Sequence, residues 1–181
     1  MSEYAAFLRG VNVGKAHRVG SDELRRCFEK LGLAKVATFR TSGNVAFDGN
    51  GSSADELRAS IEEALESALG YDVSVFLRTA DEVRGIASHD PFSQAALQRS
   101  KGKVQVVFLT GKAPAAARKS VLGLATEDDA LTFGERELYW LPSGGISDSD
   151  LDLKAISKLL GTNTIRTMGT VEQMAARFFA G

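Results

Sequence analysis

Apolar periodicity in this chain alternates between strand-like and helix-like spacing in one order, and that order occurs twice. The repetition limits the fold more than composition does. In the first pass, residues 4–8 (Tyr-Ala-Ala-Phe-Leu) read as a short apolar strand. Ser21 then opens a helix in which Leu24, Cys27, Phe28 and Leu31 share one face, with Gly32 as its stop. Residues 35–39 and 45–47 are strands separated by the turn Arg40-Thr41-Ser42-Gly43-Asn44. Ser53 with Glu56 forms a capping box for a helix lined by Leu57, Ile61, Leu65 and Leu69 and ended by Gly70. Residues 73–77 are the fourth strand.

A second capping box, Thr79 with Glu82, opens a short helix, and residues 88–102 form a connector punctuated by Pro91 and Gly102. The same grammar then returns. Strand 104–109 leads to an Ala-rich helix over 114–124, then a hairpin of 130–133 and 136–141 around Gly134-Glu135. A helix over 151–160 follows, with Ala155, Ile156, Leu159 and Leu160 inward, and residues 164–167 form a strand. Thr170 and Gln173 cap an extra helix carrying the stripe Val171, Met174, Ala175, Phe178 and Phe179.

Strand, helix, strand, strand, helix, strand is the order of a ferredoxin-like plait. The local echo between Ala6-Phe7-Leu8-Arg9-Gly10 and Val107-Phe108-Leu109-Thr110-Gly111 points to internal duplication. The expected fold is therefore α+β: a tandem duplication of βαββαβ plaits with an extra C-terminal helix. Its halves are 1–80 and 103–181, joined by a helical connector over 81–102. Strands 5–8 and 104–109 are apolar on both faces, which asks for cover on the second face of each sheet and predicts one compact unit.

In such a plait the first and second strands run parallel, with the third antiparallel between them. The loop Arg9-Gly10-Val11-Asn12-Val13-Gly14-Lys15 should therefore meet the second turn at one sheet edge. Arg9, Lys15 and Arg40 would supply charge there. Gly14 and Gly43 would supply backbone amides, with Ser42 beside them and Asn12 and Asn44 orienting a ligand. This favours a binding protein or enzyme for a small phosphorylated or carboxylated ligand. The competing structural reading is that the turns are ordinary hairpin chemistry, with Arg9 and Arg40 solvated or paired with Asp48 or Glu23.

Other chemistry is thinly supplied. Gly10-Val11-Asn12-Val13-Gly14-Lys15-Ala16 is one residue short of a phosphate loop, and Ala16 replaces its magnesium-binding hydroxyl. Asp148-Ser149-Asp150-Leu151-Asp152 opens like a calcium loop, but Leu153 and Leu159 stand where Gly and Glu are needed. A single cysteine, Cys27, and two unpaired histidines, His17 and His89, provide no zinc set. His17 lies beside the expected pocket as a candidate acid or base, although a lone loop histidine is more often solvated. His89 belongs to the connector. No cofactor or metal is expected.

The 22 basic against 23 acidic residues leave a net charge of -1, so any polyanion contact must be local. A nucleic-acid-binding module using the same edge is the less favoured alternative. It would stack bases on Phe7 and Phe47, or on Tyr139 and Trp140, yet two-sided apolar strands assign these rings to cores. A third reading is a protein-interaction module, a homodimer through the helix bearing Phe178 and Phe179. One cysteine fits a reducing compartment, and no apolar run reaches membrane-spanning length, so a cytoplasmic location with no membrane partner is expected.

Several stretches, taken in order, are similar to a bacterial family known as domain of unknown function family 1697. They are Leu8-Arg9-Gly10-Val11-Asn12-Val13-Gly14-Lys15, Ser42-Gly43-Asn44-Val45-Ala46-Phe47, Asp90-Pro91-Phe92, Val107-Phe108-Leu109 and Thr164-Ile165-Arg166 followed by Thr170-Val171. The resemblance implies a two-plait fold and a small cytoplasmic bacterial protein, and it brings no established activity. The family pattern continues Arg-Asn-Trp before the last helix, where this chain has Arg166-Thr167-Met168. A Ser-Lys pair before the penultimate helix is replaced by Ser147-Asp148-Ser149-Asp150. The N-terminal turns keep the pattern, and the site is expected there.

Overall fold

The computed structural model describes residues 2–181. Among them lie two four-stranded antiparallel sheets and seven α-helices, an α+β architecture. By compactness the chain divides into two units. The first comprises the described residues through Ile86 together with Gln173–Gly181, and the second is Ala87–Glu172. The last nine residues thus group with the first sheet.

The first unit contains β1 (Glu3–Arg9), α1 (Ser21–Glu29), β2 (Ala34–Phe39), β3 (Asn44–Asp48), α2 (Ala54–Leu69), β4 (Ser74–Thr79) and α3 (Ala80–Ala87, running one residue past the unit). Its sheet has the order β2-β3-β1-β4, so β1 is hydrogen-bonded on both edges. The register places Tyr4 opposite Phe47 and Ala6 opposite both Val45 and Leu77. The face carrying Tyr4, Ala6 and Leu8 packs with Leu24, Cys27 and Phe28 of α1 and Leu57, Ile61 and Leu65 of α2. Phe28 meets Phe47 edge-on, with centroids 5.4 Å apart, a favoured geometry for aromatic pairs. The opposite face of β1, Ala5 and Phe7, is also buried.

Local signals fix the helix ends. Ser53 Oγ accepts the Glu56 N–H while Glu56 returns a carboxylate to the Ser53 N–H, at 3.3 and 2.8 Å. Gly70 closes α2 in the left-handed conformation, which glycine adopts without a Cβ penalty. Thr79 and Glu82 repeat the reciprocal box at the start of α3. Helix α1 stops at Glu29, three residues before the expected Gly32. Cys27 lies on its inner face, where burial, then Glu23, pushes the thiol pKa up. That is the setting of a packing thiol, not a nucleophile.

The second unit holds α4 (Gln94–Arg99), β5 (Gln105–Leu109), α5 (Ala115–Leu122), β6 (Ala130–Phe133), β7 (Glu137–Leu141), α6 (Leu153–Leu160), β8 (Asn163–Thr167) and the start of α7 (Met168–Phe178). Its sheet order, β6-β7-β5-β8, repeats the first. Val107, Leu109, Leu138 and Trp140 pack with Val121, Leu151 and Ile156. Leu159, expected inward, is 42% exposed. The inner stripe of α6 runs through Leu153, Ile156 and Leu160 instead, and position 159 falls off its edge.

The start of α7 also differs from expectation. The cap is Thr167, whose Oγ1 accepts the Thr170 N–H at 3.3 Å, and the helix leaves β8 without a loop. Val171, Met174, Ala175 and Phe179 are buried, and Phe178 is half-buried.

One buried carboxylate organises the second core. Asp129, 1% exposed, accepts from Trp140 Nε1 at 2.8 Å, Ser149 Oγ at 2.7 Å and Thr126 Oγ1 at 2.9 Å. Removing it strands the indole N–H without a buried acceptor. Asp129→Ala should lower unfolding stability by about 3 kcal/mol. Trp140, the only tryptophan, reports the transition by fluorescence during urea titration; an unchanged midpoint would show that water replaces the carboxylate.

Candidate functional site

Because β3 runs antiparallel between β1 and β2, the end of β1 and the β2–β3 turn come out at one sheet edge. The Leu8 N–H donates to the Gly43 carbonyl at 2.8 Å. Gly43 has φ +78, and a Cβ there would meet the Leu8 Cβ at 3.0 Å and collide with a methyl of Val11. Glycine is required twice over at this point, by backbone conformation and by close approach. Gly10, φ +100, makes a similar passage beside the Asp72 carbonyl, 2.9 Å from where its Cβ would lie.

Asn12 joins the loop to the turn. Its Nδ2 donates to the Thr41 carbonyl at 2.5 Å, its Oδ1 accepts the Val19 N–H at 3.0 Å, and its backbone N–H reaches the His17 carbonyl at 2.5 Å. Asn12 has φ 55, a region asparagine tolerates better than most residues. Asn44 is fully buried, and its Nδ2 donates to the Phe39 carbonyl at 2.9 Å and Ser42 Oγ at 3.0 Å. The sequence suggested ligand-orienting roles for both asparagines. In the fold their carboxamides act as a clasp on the loop and the turn.

The charges stand outside the clasp. Arg40, at φ 58, lays its guanidinium over the Phe39 ring, 5.4 Å from the centroid, and donates to Gln173 Oε1 at 2.9 Å. Asp48 is not its partner, since that carboxylate lies at the far end of β3 and holds Lys35 Nζ at 3.0 Å. Arg9 is exposed at the end of β1, paired in register with Ser74 of β4. Lys15 and Arg18 are exposed and have no carboxylate partner among the described residues. The N–H groups of Gly14, Lys15 and Ala16 likewise meet no protein acceptor among the described residues.

His17 stacks on Tyr71 with centroids 4.0 Å apart and planes 5° from parallel. The Tyr71 hydroxyl is sealed from solvent without a hydrogen-bond partner, and burial, then Glu23, raises its pKa. His89 lies in the other unit, against Tyr139. Phe7, Phe47, Tyr139 and Trp140 are at most 2% exposed, and a base cannot reach them for stacking. Gln173 is the site residue that local sequence gave no way to find: it reaches Arg40 across 133 residues.

The family model described as "Protein of unknown function (DUF1697)" matches residues 1–139 of this chain. The chain belongs to this family. No curated protein matches. The solved structure of the conserved bacterial protein SP0830 from Streptococcus pneumoniae is similar with a TM-score of 0.76 at 24% identity, covering 98% of this chain and 99% of that one. At that identity the likeness speaks for the fold alone. No described helix is long and apolar enough to cross a membrane. In this DUF1697 chain, the clasp residues Asn12, Ser42, Gly43 and Asn44 all fall in the two N-terminal stretches that resemble the family pattern.

Two glycines of the site separate strain from crowding. Gly14 also has positive φ, 63°, but a Cβ there would meet nothing within 4 Å. Gly14→Ala should cost about 1 kcal/mol of stability, and Gly43→Ala at least about 3 kcal/mol, because Val11 and Leu8 must also shift. Equal costs in urea unfolding would mean that the turn relaxes away from Val11.

Proposed function

We propose that this chain binds a small phosphorylated or carboxylated molecule on the rim where the 9–18 loop meets the 40–43 turn. Lys15, Arg40 and Arg9 supply charge, and the amides around Gly14 supply donors. Asn12, Ser42, Gly43 and Asn44 hold the shape. Clustered cations beside unpartnered N–H groups are the chemistry that phosphate and carboxylate oxygens select.

The observation that carries this reading is a contrast between two comparable rims. We read each unit as a ferredoxin-like plait and the chain as a tandem duplication. Leu8 N–H to Gly43 carbonyl in the first unit corresponds to Leu109 N–H to Arg136 carbonyl in the second, at 2.8 and 3.0 Å. Ala5 opposite Arg78 likewise corresponds to Val106 opposite Arg166. On the second rim Lys112 Nζ is paired with Glu135 Oε2 at 3.2 Å, and Arg118 donates to the Gly134 and Glu135 carbonyls at 2.6 and 3.1 Å. That rim brings its own carboxylate to its own lysine. Lys15 and Arg18 on the first rim have none among the described residues, which suits an anion arriving from solution.

The test is the melting temperature of the protein in inorganic phosphate or citrate, with chloride at matched ionic strength as control. Ligand at about 100 times its dissociation constant stabilises a folded protein by about 2.7 kcal/mol. Lys15→Ala and Arg40→Ala should each weaken the apparent affinity about tenfold, while leaving the ligand-free melting temperature within about 2 °C, since both side chains are exposed. If neither anion raises the wild-type melting temperature, the reading is wrong. If both variants unfold early on their own, those cations are structural.

A further inference from the structure

We propose that Gln173 is a positioning residue of this rim: it fixes the Arg40 guanidinium for an incoming anion without neutralising its charge. The inference rests on the anion-binding reading above and names a residue outside both rim loops.

The geometry begins with Arg40 itself. Its left-handed backbone (φ 58) is costly for a residue with a Cβ, and its guanidinium carbon stands over the Phe39 ring, 5.4 Å from the centroid. One NH2 group is held by Gln173 Oε1 at 2.9 Å. A guanidinium carries five N–H donors, so this contact leaves enough for a two-pronged bond to a phosphate or carboxylate. Gln173 in turn has little freedom of position. It sits on α7 next to the fully buried Met174. Further along, Phe178 meets Phe39 edge-on at 6.0 Å, and Arg84 NH1 donates to the Phe179 carbonyl at 2.9 Å. The same aromatic ring, Phe39, therefore contacts both Arg40 and the end of α7.

The chemical identity of residue 173 decides what this contact does. A carboxamide oxygen is a neutral acceptor: it removes rotamer freedom from Arg40, leaving the full positive charge for a ligand. A carboxylate at the same place would hold the arginine at least as firmly but cancel its charge, as Glu135 does for Lys112 on the other rim. Side-chain geometry and rim electrostatics thus make opposite demands, and a neutral hydrogen-bonding side chain meets both.

Three proteins test this: wild type, Gln173→Glu and Gln173→Ala, each titrated with inorganic phosphate and with citrate by calorimetry, with melting temperatures recorded without ligand. Gln173→Glu should keep or raise the ligand-free melting temperature and yet lose about tenfold or more in anion affinity. Gln173→Ala should lose about two- to fivefold through the freed arginine. A merely structural glutamine would not produce tighter folding together with weaker binding in the glutamate variant. If both variants bind like a wild type whose affinity depends on Arg40, the role of Gln173 is overturned and the rim reading stands. If the wild type binds neither anion, both fall together.

Discussion

The paired, doubly buried strand β1 is the constraint on which the rest of this protein depends. It is hydrogen-bonded to β3 on one edge and β4 on the other, with Ala5 through Leu8 shielded on both faces. A strand held in this way cannot slip by a residue, because a slip would exchange its two faces. Its end is therefore delivered to one place, and the loop after Arg9 begins beside the 40–43 turn whatever the loop's own preferences are. The clasp built on Asn12 and Gly43 refines a meeting that the sheet has already imposed.

That clasp accounts for how the amide side chains of the loop and the turn are engaged. A loop crossing a turn leaves backbone carbonyls and N–H groups that need partners. Asn12 meets three such needs at once, and Asn44 ties Phe39 to Ser42 from a fully buried position. An aspartate at either place would lack the Nδ2 donors that these carbonyls accept from, so the side chain must be neutral for the turn to close. With the carboxamides so used, what faces outward is Lys15, Arg18 and the partly engaged Arg40.

Much of this was legible in the sequence, and the misreadings have physical causes. The capping boxes at Ser53 and Thr79 and the left-handed stop at Gly70 are local devices, and these three read correctly. The meeting of the two turns followed from strand order alone. The roles of Asn12 and Asn44 did not, because a carboxamide aimed at a ligand and one aimed at a carbonyl are the same letters. The sequence pattern puts the cap of α7 at Thr170 whereas Thr167 does the work, since a strand running straight into a helix leaves no loop to mark the junction. Leu159 falls just outside a narrow apolar stripe, and the contact of Gln173 has no local signal because its partner lies far away in the chain.

The two sheets also place arginine inside as well as outside, and the comparison shows what burial does to the same side chain. Arg78 and Arg166 stand at matching registers in β4 and β8, 1% and 8% exposed, each donating to the carbonyl of the residue before it. Loss of water pulls the Arg166 pKa down to about 10. That value is still well above neutrality, so the guanidinium keeps its proton and the sheet interior keeps a fixed positive charge. Arg40, by contrast, is exposed and rests on Phe39. A charge kept in water is the one available to a ligand, whereas a charge held in the core is committed to the fold. Burial, more than residue type, therefore separates the arginines built into the sheets from those left at the surface.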